Sequence, residues 1–350
     1  MARSRRDAGT AFFKLILIAI LVMEFTSIVV GKPSKNSELA RQARALSFME
    51  FKPLKTLWDF TGDFKTSASE PEAQVLQNAY ENDLDVAHGH EQGYTIRRTK
   101  IPYSDSTQAR LSGLLAWPVQ DPLPPAGAPA LPPKLPGVLV AHTAVGNGDD
   151  FILWKLEAIA SLGYAAFALD MYGEEASGAH NEGAWDRAVN AEVRRSLRED
   201  RLSQQARARA GYEVFASQPM VDESRMAALG YCYGGMVVLD LAKSGVPLKG
   251  VGTMHGILDV PKELDTSLIQ CPVQLYHGKA DPFVSQEQLV AFQEDMNKND
   301  ISWNIHSFPG IGHAFTRPEK LLFEEDVGQN DASEKSWNSF KVFLDKVFKN

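Results

Sequence analysis

Two runs with strand-like patterning, Tyr94–Pro102 and Ala109–Val119, stand on either side of a polar turn at Ser104–Thr107. They predict a hairpin at the edge of a sheet. The stretch 121–136 is rich in proline, suits neither a strand nor a helix interior, and predicts a surface loop. From Gly137 the pattern changes. Gly137–Ala141 is a short continuous apolar run, the mark of a parallel strand buried on both faces. Phe151–Leu162 has helical spacing and stops at Gly163, a residue suited to a C-cap. Tyr164–Leu169, Met226–Leu229, Val251–His255, Val273–Tyr276 and Trp303–Phe308 read as further strands. Residues 184–216, Met236–Lys243, Gln286–Asn297 and Glu334–Phe348 read as helices, the first with a break near Asp200. This alternation predicts an α/β fold over 93–350, with a mostly parallel central sheet and helices on both faces.

The first 92 residues follow a different pattern. Arg3, Arg5 and Arg6 precede a mostly apolar stretch from Ala11 to Val30, interrupted by Lys14 and Glu24. A basic start followed by an apolar run has the form of an export signal. The span is also long enough to serve as an N-terminal membrane anchor. Residues 1–31 are therefore expected to direct secretion or tethering, and 32–92 to form a linker or appendage. Composition narrows the remaining choices. Of 350 residues 44% are hydrophobic, enough for a substantial core, and the formal net charge is -8. That acidity argues against a nucleic-acid partner, which would need a basic surface. Two cysteines in a chain of this length are no disulfide scaffold. There is no zinc-finger spacing and no phosphate-cradling glycine loop, and His88 and His90 lack further ligands nearby, so no metal site is expected.

The sharpest chemical signal is Gly230-Tyr231-Cys232-Tyr233-Gly234-Gly235. It fits the strand–turn–helix pattern G-x-(Ser/Cys)-x-G, in which a nucleophile sits at the tip of a sharp reversal. Glycines keep Cβ atoms out of the crowded turn, and the following helix N-terminus favours a thiolate. The alternative is an inert buried cysteine in a glycine-rich turn. Two later loops, each after a predicted strand, supply partners. Asp281, in Tyr276-His277-Gly278-Lys279-Ala280-Asp281-Pro282, is placed to orient a histidine ring. His313, in Pro309-Gly310-Ile311-Gly312-His313-Ala314-Phe315, is placed to hold the thiolate and protonate a leaving group. The order Cys232, Asp281, His313 is that of a hydrolytic triad on this kind of sheet. His277 and His255 are candidates for the surroundings of the site. His180 reads as a surface residue, and His306 lies within a strand.

These motifs, together with Gly137–His142 and Ala168–Gly173, resemble the dienelactone hydrolase family of α/β-hydrolase-fold enzymes over roughly 93–349. The resemblance implies a Cys232–Asp281–His313 triad, a thioester acyl-enzyme, a small ester or lactone substrate, and no cofactor. It also implies an oxyanion hole made by the backbone N–H groups of Tyr233 and Ala144. Arg317 stands where the family pairs an arginine with a substrate carboxylate, so a carboxylate-bearing substrate is an expectation. Thr143 stands where the family carries a glutamate that helps form the thiolate, and threonine cannot accept a proton in that role. The insert 173–219 occupies the place of a variable cap, with Tyr172, Trp185 and Arg187 as candidate pocket residues. Two alternatives keep the fold and change the function. One is a catalytically silent binding protein, and the other a thioesterase or acyltransferase using the same triad.

Overall fold

Residues 94–120, 130–173, 187–317 and 327–349 are described by the structure, a computed structural model. All of them fall in the unit Thr56–Asn350. The expected export segment and appendage, His88 and His90, the 121–129 part of the proline-rich loop, and residues 174–186 of the insert, with Glu174, Glu175, His180 and Trp185, lie outside the described residues. Among the described residues, no helix is long and apolar enough to cross a membrane.

The strands are β1 (Tyr94–Ser104), β2 (Arg110–Gln120), β3 (Leu135–Ala141), β4 (Ala165–Ala168), β5 (Val221–Tyr231), β6 (Gly250–Met254), β7 (Val273–Gly278) and β8 (Trp303–Phe308). They form one sheet in the order β1-β2-β4-β3-β5-β6-β7-β8. β1 and β2 pair antiparallel, as the hairpin pattern predicts, and β2 joins β4 antiparallel. Every pairing from β4 through β8 is parallel. The helices are α1 (Asp150–Ala160), α2 (Arg187–Glu199), α3 (Arg201–Ala216), α4 (Tyr233–Ala242), α5 (Gln286–Lys298) and α6 (Val327–Lys349).

Why the inner strands read as unbroken apolar runs is visible in their packing. On β3, Val138 and Val140 point to one core, with Phe151, Ile152, Leu156 and Ile159 of α1 and Phe340 and Leu344 of α6. Leu139 and Ala141 point to the other, with Ala208 and Phe215 of α3, Met236 and Val237 of α4, and Phe292 and Met296 of α5. Successive strand residues face opposite ways, so a strand covered on both sides must be apolar throughout. The break read near Asp200 separates α2 from α3, and its cause is local. The Asp200 carboxylate accepts from Ser203 N–H as the N-cap of α3.

β5 begins at Val221, five residues before the apolar run that predicts it. Its polar start is held by pairing rather than by burial: Leu135 and Pro136 pair with Val221 and Asp222, and the register then shifts between Pro136 and Gly137. This irregularity hides the start of both strands from a purely apolar reading.

Behind the end of β5, a buried polar network joins α3 to α4. Arg201 donates to both oxygens of Asp240, from Nε at 2.7 Å and Nη2 at 2.6 Å. Gln204 Nε2 donates to the same carboxylate at 2.6 Å, and its Oε1 accepts from the Tyr233 hydroxyl at 2.8 Å. Tyr233 follows the candidate nucleophile, so the network seats the first turn of α4. Removing one partner of a buried pair leaves the other charge uncompensated. Asp240→Leu is expected to lower unfolding free energy by roughly 3–5 kcal/mol in urea titrations, and Arg201→Met in the same chain to recover much of it.

Candidate active site

The parallel strands deliver their C-terminal ends to one edge, and the candidate residues lie on the loops there. Cys232 is the single residue between β5 and α4, with φ 57° and ψ −117°. A side chain other than glycine is strained in that region, by about 1–3 kcal/mol. Three hydrogen bonds hold it: its N–H donates to Met254 O at 3.0 Å, and its carbonyl accepts from Gly235 at 3.0 Å and Ile257 at 3.3 Å. The flanking glycines are steric necessities. A Cβ on Gly230 would run into the carbonyl of Gly234, and one on Gly234 into the carbonyls of Ala141 and His142.

Asp281 and His313 come from loops after β7 and β8, and the fold brings them together. His313 Nδ1 donates to Asp281 Oδ2 at 2.7 Å, with the Asp281 side chain fully shielded from solvent. The other Asp281 oxygen accepts from Phe283 N–H at 2.9 Å, which fixes the carboxylate plane. His313 Nε2 is shielded from solvent, and Cys232 acts on the ring by hydrogen bonding and by charge. Burial works against the imidazolium. Asp281 and a Cys232 thiolate outweigh it and raise the His313 pKa to about 9. Burial likewise pushes the Cys232 thiol up, but His313 and the backbone N–H groups of Tyr233 and Ala144 bring it below its ordinary value. Each shift favours the charged form of its own group. The same two N–H groups expected to form an oxyanion hole thus face the sulfur.

The loop that carries Ala144 is tied down from behind. The Ala144 carbonyl accepts from the Tyr172 hydroxyl at 3.1 Å and from Arg194 Nη1 at 3.0 Å. The Val145 carbonyl accepts from Asn190 Nδ2 at 2.8 Å. The Thr143 hydroxyl accepts from Val145 N–H at 3.2 Å, so it braces the loop and offers no proton-accepting carboxylate. Tyr172 is itself fixed through Asp170, a buried carboxylate that accepts from the N–H groups of Ser112, Tyr172 and Gly173. Burial, with the charges of Cys232 and Asp170, pushes the Tyr172 phenol up to about 12 against the pull of Arg194, so it stays a donor.

Arg317 is placed differently from a free anion receptor. Its Nη2 donates to Asp149 Oδ2 at 2.9 Å, and its guanidinium lies 5.7 Å from the Phe151 ring centroid. Its charge is already matched by the carboxylate that caps α1. His255 lies beside His313 with ring centroids 4.9 Å apart and bonds Thr316 Oγ1 at 2.8 Å. His277 is buried near the Asp281–His313 pair, and their charges act on it in opposite directions. His306, by contrast, stacks on Tyr276 at 5.0 Å and bonds Gln274. Among the described residues, no cluster of His, Cys, Asp or Glu is arranged to hold a metal ion.

Sequence reading missed Asn190, Arg194 and Phe283. The first two stand four residues apart on α2, the spacing that puts side chains on one helix face. That spacing was the available signal. Phe283 follows the expected aspartate by two positions. Its ring meets His313 edge-on at 4.7 Å while remaining 60% exposed, an apolar surface at the mouth of the site.

Comparison with known proteins gives the family and the fold. A Caenorhabditis elegans protein of uncharacterized function is 32% identical over 149 residues, 41% of this chain and 92% of its own. A Bradyrhizobium protein named as a probable 2-oxo-3-(5-oxofuran-2-ylidene)propanoate lactonase is 24% identical over 225 residues, 62% and 86% of the two chains. The crystal structure of a dienelactone hydrolase-like promiscuous phosphotriesterase from metagenomic libraries matches with TM-score 0.60 and 27% identity, covering 72% of this chain and 99% of that one. The sequence profile of the dienelactone hydrolase family matches residues 126–348. With its eight-stranded sheet and the loops at its edge, the chain is an α/β-hydrolase-fold member of the dienelactone hydrolase family.

Proposed function

We propose that the protein hydrolyses a small ester or lactone through a thioester on Cys232. The observation that carries this is the seating of Cys232 in a strained turn beside a histidine that Asp281 orients. The family membership and the lactonase named among the relatives support the substrate class. In the proposed cycle the Cys232 thiolate attacks the substrate carbonyl carbon, and the carbonyl π pair moves to oxygen. The oxyanion lies between the N–H groups of Tyr233 and Ala144, which hold it as charge develops. When the tetrahedral species collapses, the C–O bond breaks and His313 Nε2 gives its proton to the departing oxygen. In a lactone that oxygen stays tethered to the acyl group. Water then attacks the thioester, His313 takes its proton, and the thiolate leaves, which restores the starting ion pair. In this reading Tyr172 and Thr143 brace the loop that carries Ala144, and Arg317 meets a substrate carboxylate only by sharing its fork with Asp149.

Cys232→Ser is expected to lower turnover of a small ester and lactone panel by a factor of about 10³ or more, on the scale of losing one member of such a triad. The wild type is expected to gain an acyl mass at Cys232 by intact-mass measurement after a rapid quench. An unlabelled, inactive wild type would instead support the silent binding protein. Transfer of the acyl group to an added alcohol or amine in preference to water would support an acyltransferase.

The pH profile of kcat/KM follows from the two ionisations. Activity is expected to rise as Cys232 ionises, below the ordinary thiol range, and to fall as His313 loses its proton near pH 9. Asp281→Asn removes the carboxylate that raises the His313 pKa, so its basic limb should move to lower pH. A basic limb that stays in place would remove the Asp281–His313 pair from the mechanism.

We further propose that residues 1–31 direct the chain to secretion or to a membrane surface, on the strength of the basic cluster before the Ala11–Val30 run. A reporter fused behind residues 1–31 should leave the cytosol, and Arg3, Arg5 and Arg6 changed together to Glu should reduce that. Retention of the unaltered fusion in the cytosol would overturn the proposal.

A further inference from the structure

His142 lies at the end of β3, directly before the loop that carries Ala144, and its ring is completely buried. Both ring nitrogens are engaged. Nε2 can only accept from the backbone N–H of Met171 at 3.3 Å, which leaves the ring proton on Nδ1. Nδ1–H then donates to the carbonyl of Thr143 at 2.6 Å. That carbonyl belongs to the peptide unit whose nitrogen is Ala144 N. The unit therefore accepts from His142 on one side and faces the Cys232 sulfur with its N–H on the other.

An amide bonded at its oxygen shifts electron density from nitrogen toward the carbonyl, through the resonance that keeps the peptide planar. Its N–H becomes the stronger donor, the cooperative effect seen along hydrogen-bonded chains. The bond also fixes the rotation of the plane, which decides whether the N–H points at the oxyanion or past it. The ring stays uncharged, because burial brings the His142 pKa down to about 4. Its tautomer therefore does not change over the working pH range.

From this geometry we infer that His142 is a positioning residue for the oxyanion hole, aligning and polarising the Ala144 N–H through the Thr143 carbonyl. It touches no substrate. The inference rests on the proposed hydrolytic role of Cys232 and adds to it. His142 supplies a fixed neutral donor behind the loop, and Tyr172 and Arg194 hold the next carbonyl along.

Two substitutions separate this role from plain support of the fold. In His142→Asn the amide nitrogen overlays Nδ1 and keeps the donor to Thr143, but the Met171 partner is lost. In His142→Gln the amide lies at the Nε2 position and can still meet Met171, but the Thr143 donor is lost. Each forfeits one buried hydrogen bond, so a purely structural role predicts similar losses from both. We expect the asparagine variant to stay within about threefold of wild-type kcat/KM. The glutamine variant should lose roughly tenfold or more, mostly in kcat, a fraction of the cost of deleting an oxyanion donor outright. Binding of a trifluoromethyl ketone, which forms a tetrahedral adduct on a thiolate, should weaken in proportion. In ¹⁵N-labelled protein the Ala144 amide proton should move upfield in the glutamine variant and stay in place in the asparagine variant. Equal loss in both variants, a loss confined to KM, or an unmoved Ala144 amide in the glutamine variant would overturn the inference. A wild type that turns over no substrate would count against the hydrolase reading alone, because the Ala144 amide still decides the alignment.

Discussion

Everything at the functional edge of the sheet depends on one steric constraint, the reversal of the chain within a single residue between β5 and α4. Cys232 takes a backbone conformation that costs energy, and it persists because the neighbours leave no other path. The carbonyls of Gly234, Ala141 and His142 come so close that no side chain fits at Gly230 or Gly234. The reversal places the thiol at the mouth of α4. It also brings the end of β3 against the first turn of that helix, so the loop holding Ala144 starts from the same crowded point. Packing on both faces of the sheet keeps those strand ends in register.

Around that turn the site divides between two sources of order. Cys232, Asp281 and His313 are delivered by strand ends, whose positions follow from the hydrogen-bonded ladder. The donors behind the loop of residues 143–145 come from elsewhere: His142 at the root of the loop, Tyr172 after β4, and Asn190 and Arg194 from α2. Their common feature is that they bond carbonyls. With the carbonyls of residues 143–145 all occupied from behind, the Ala144 N–H is left facing the sulfur.

This division explains what could be read from the chain alone. The inner strands were legible because burial on both faces demands unbroken apolar runs, and Asp200 marked the α2–α3 break because a helix start needs a side-chain acceptor. Cys232, Asp281 and His313 were legible because each lies in a glycine-marked loop directly after such a run. Arg194 was not, since it reaches Ala144 across 50 positions and a charged helix looks like any solvated face. The polar start of β5 was hidden for a related reason: Asp222 to Arg225 resemble a turn, and only pairing with Leu135 and Pro136 draws that segment toward the sheet. The pairing of Arg317 with Asp149 was equally invisible, because nothing local links a loop arginine to a helix cap 168 positions away.

The clamp on the loop that carries Ala144 divides the surroundings of Cys232 in two. Burial pushes the Cys232 thiol up and His313 leads the groups that bring it down, whereas the Ala144 carbonyl is held by side chains of α2 and the loop after β4. These supports can fail separately. A displacement of α2 would turn the Ala144 peptide plane while leaving the Asp281–His313 hydrogen bond as it is, so the two sides of Cys232 answer to mechanically separate parts of the molecule.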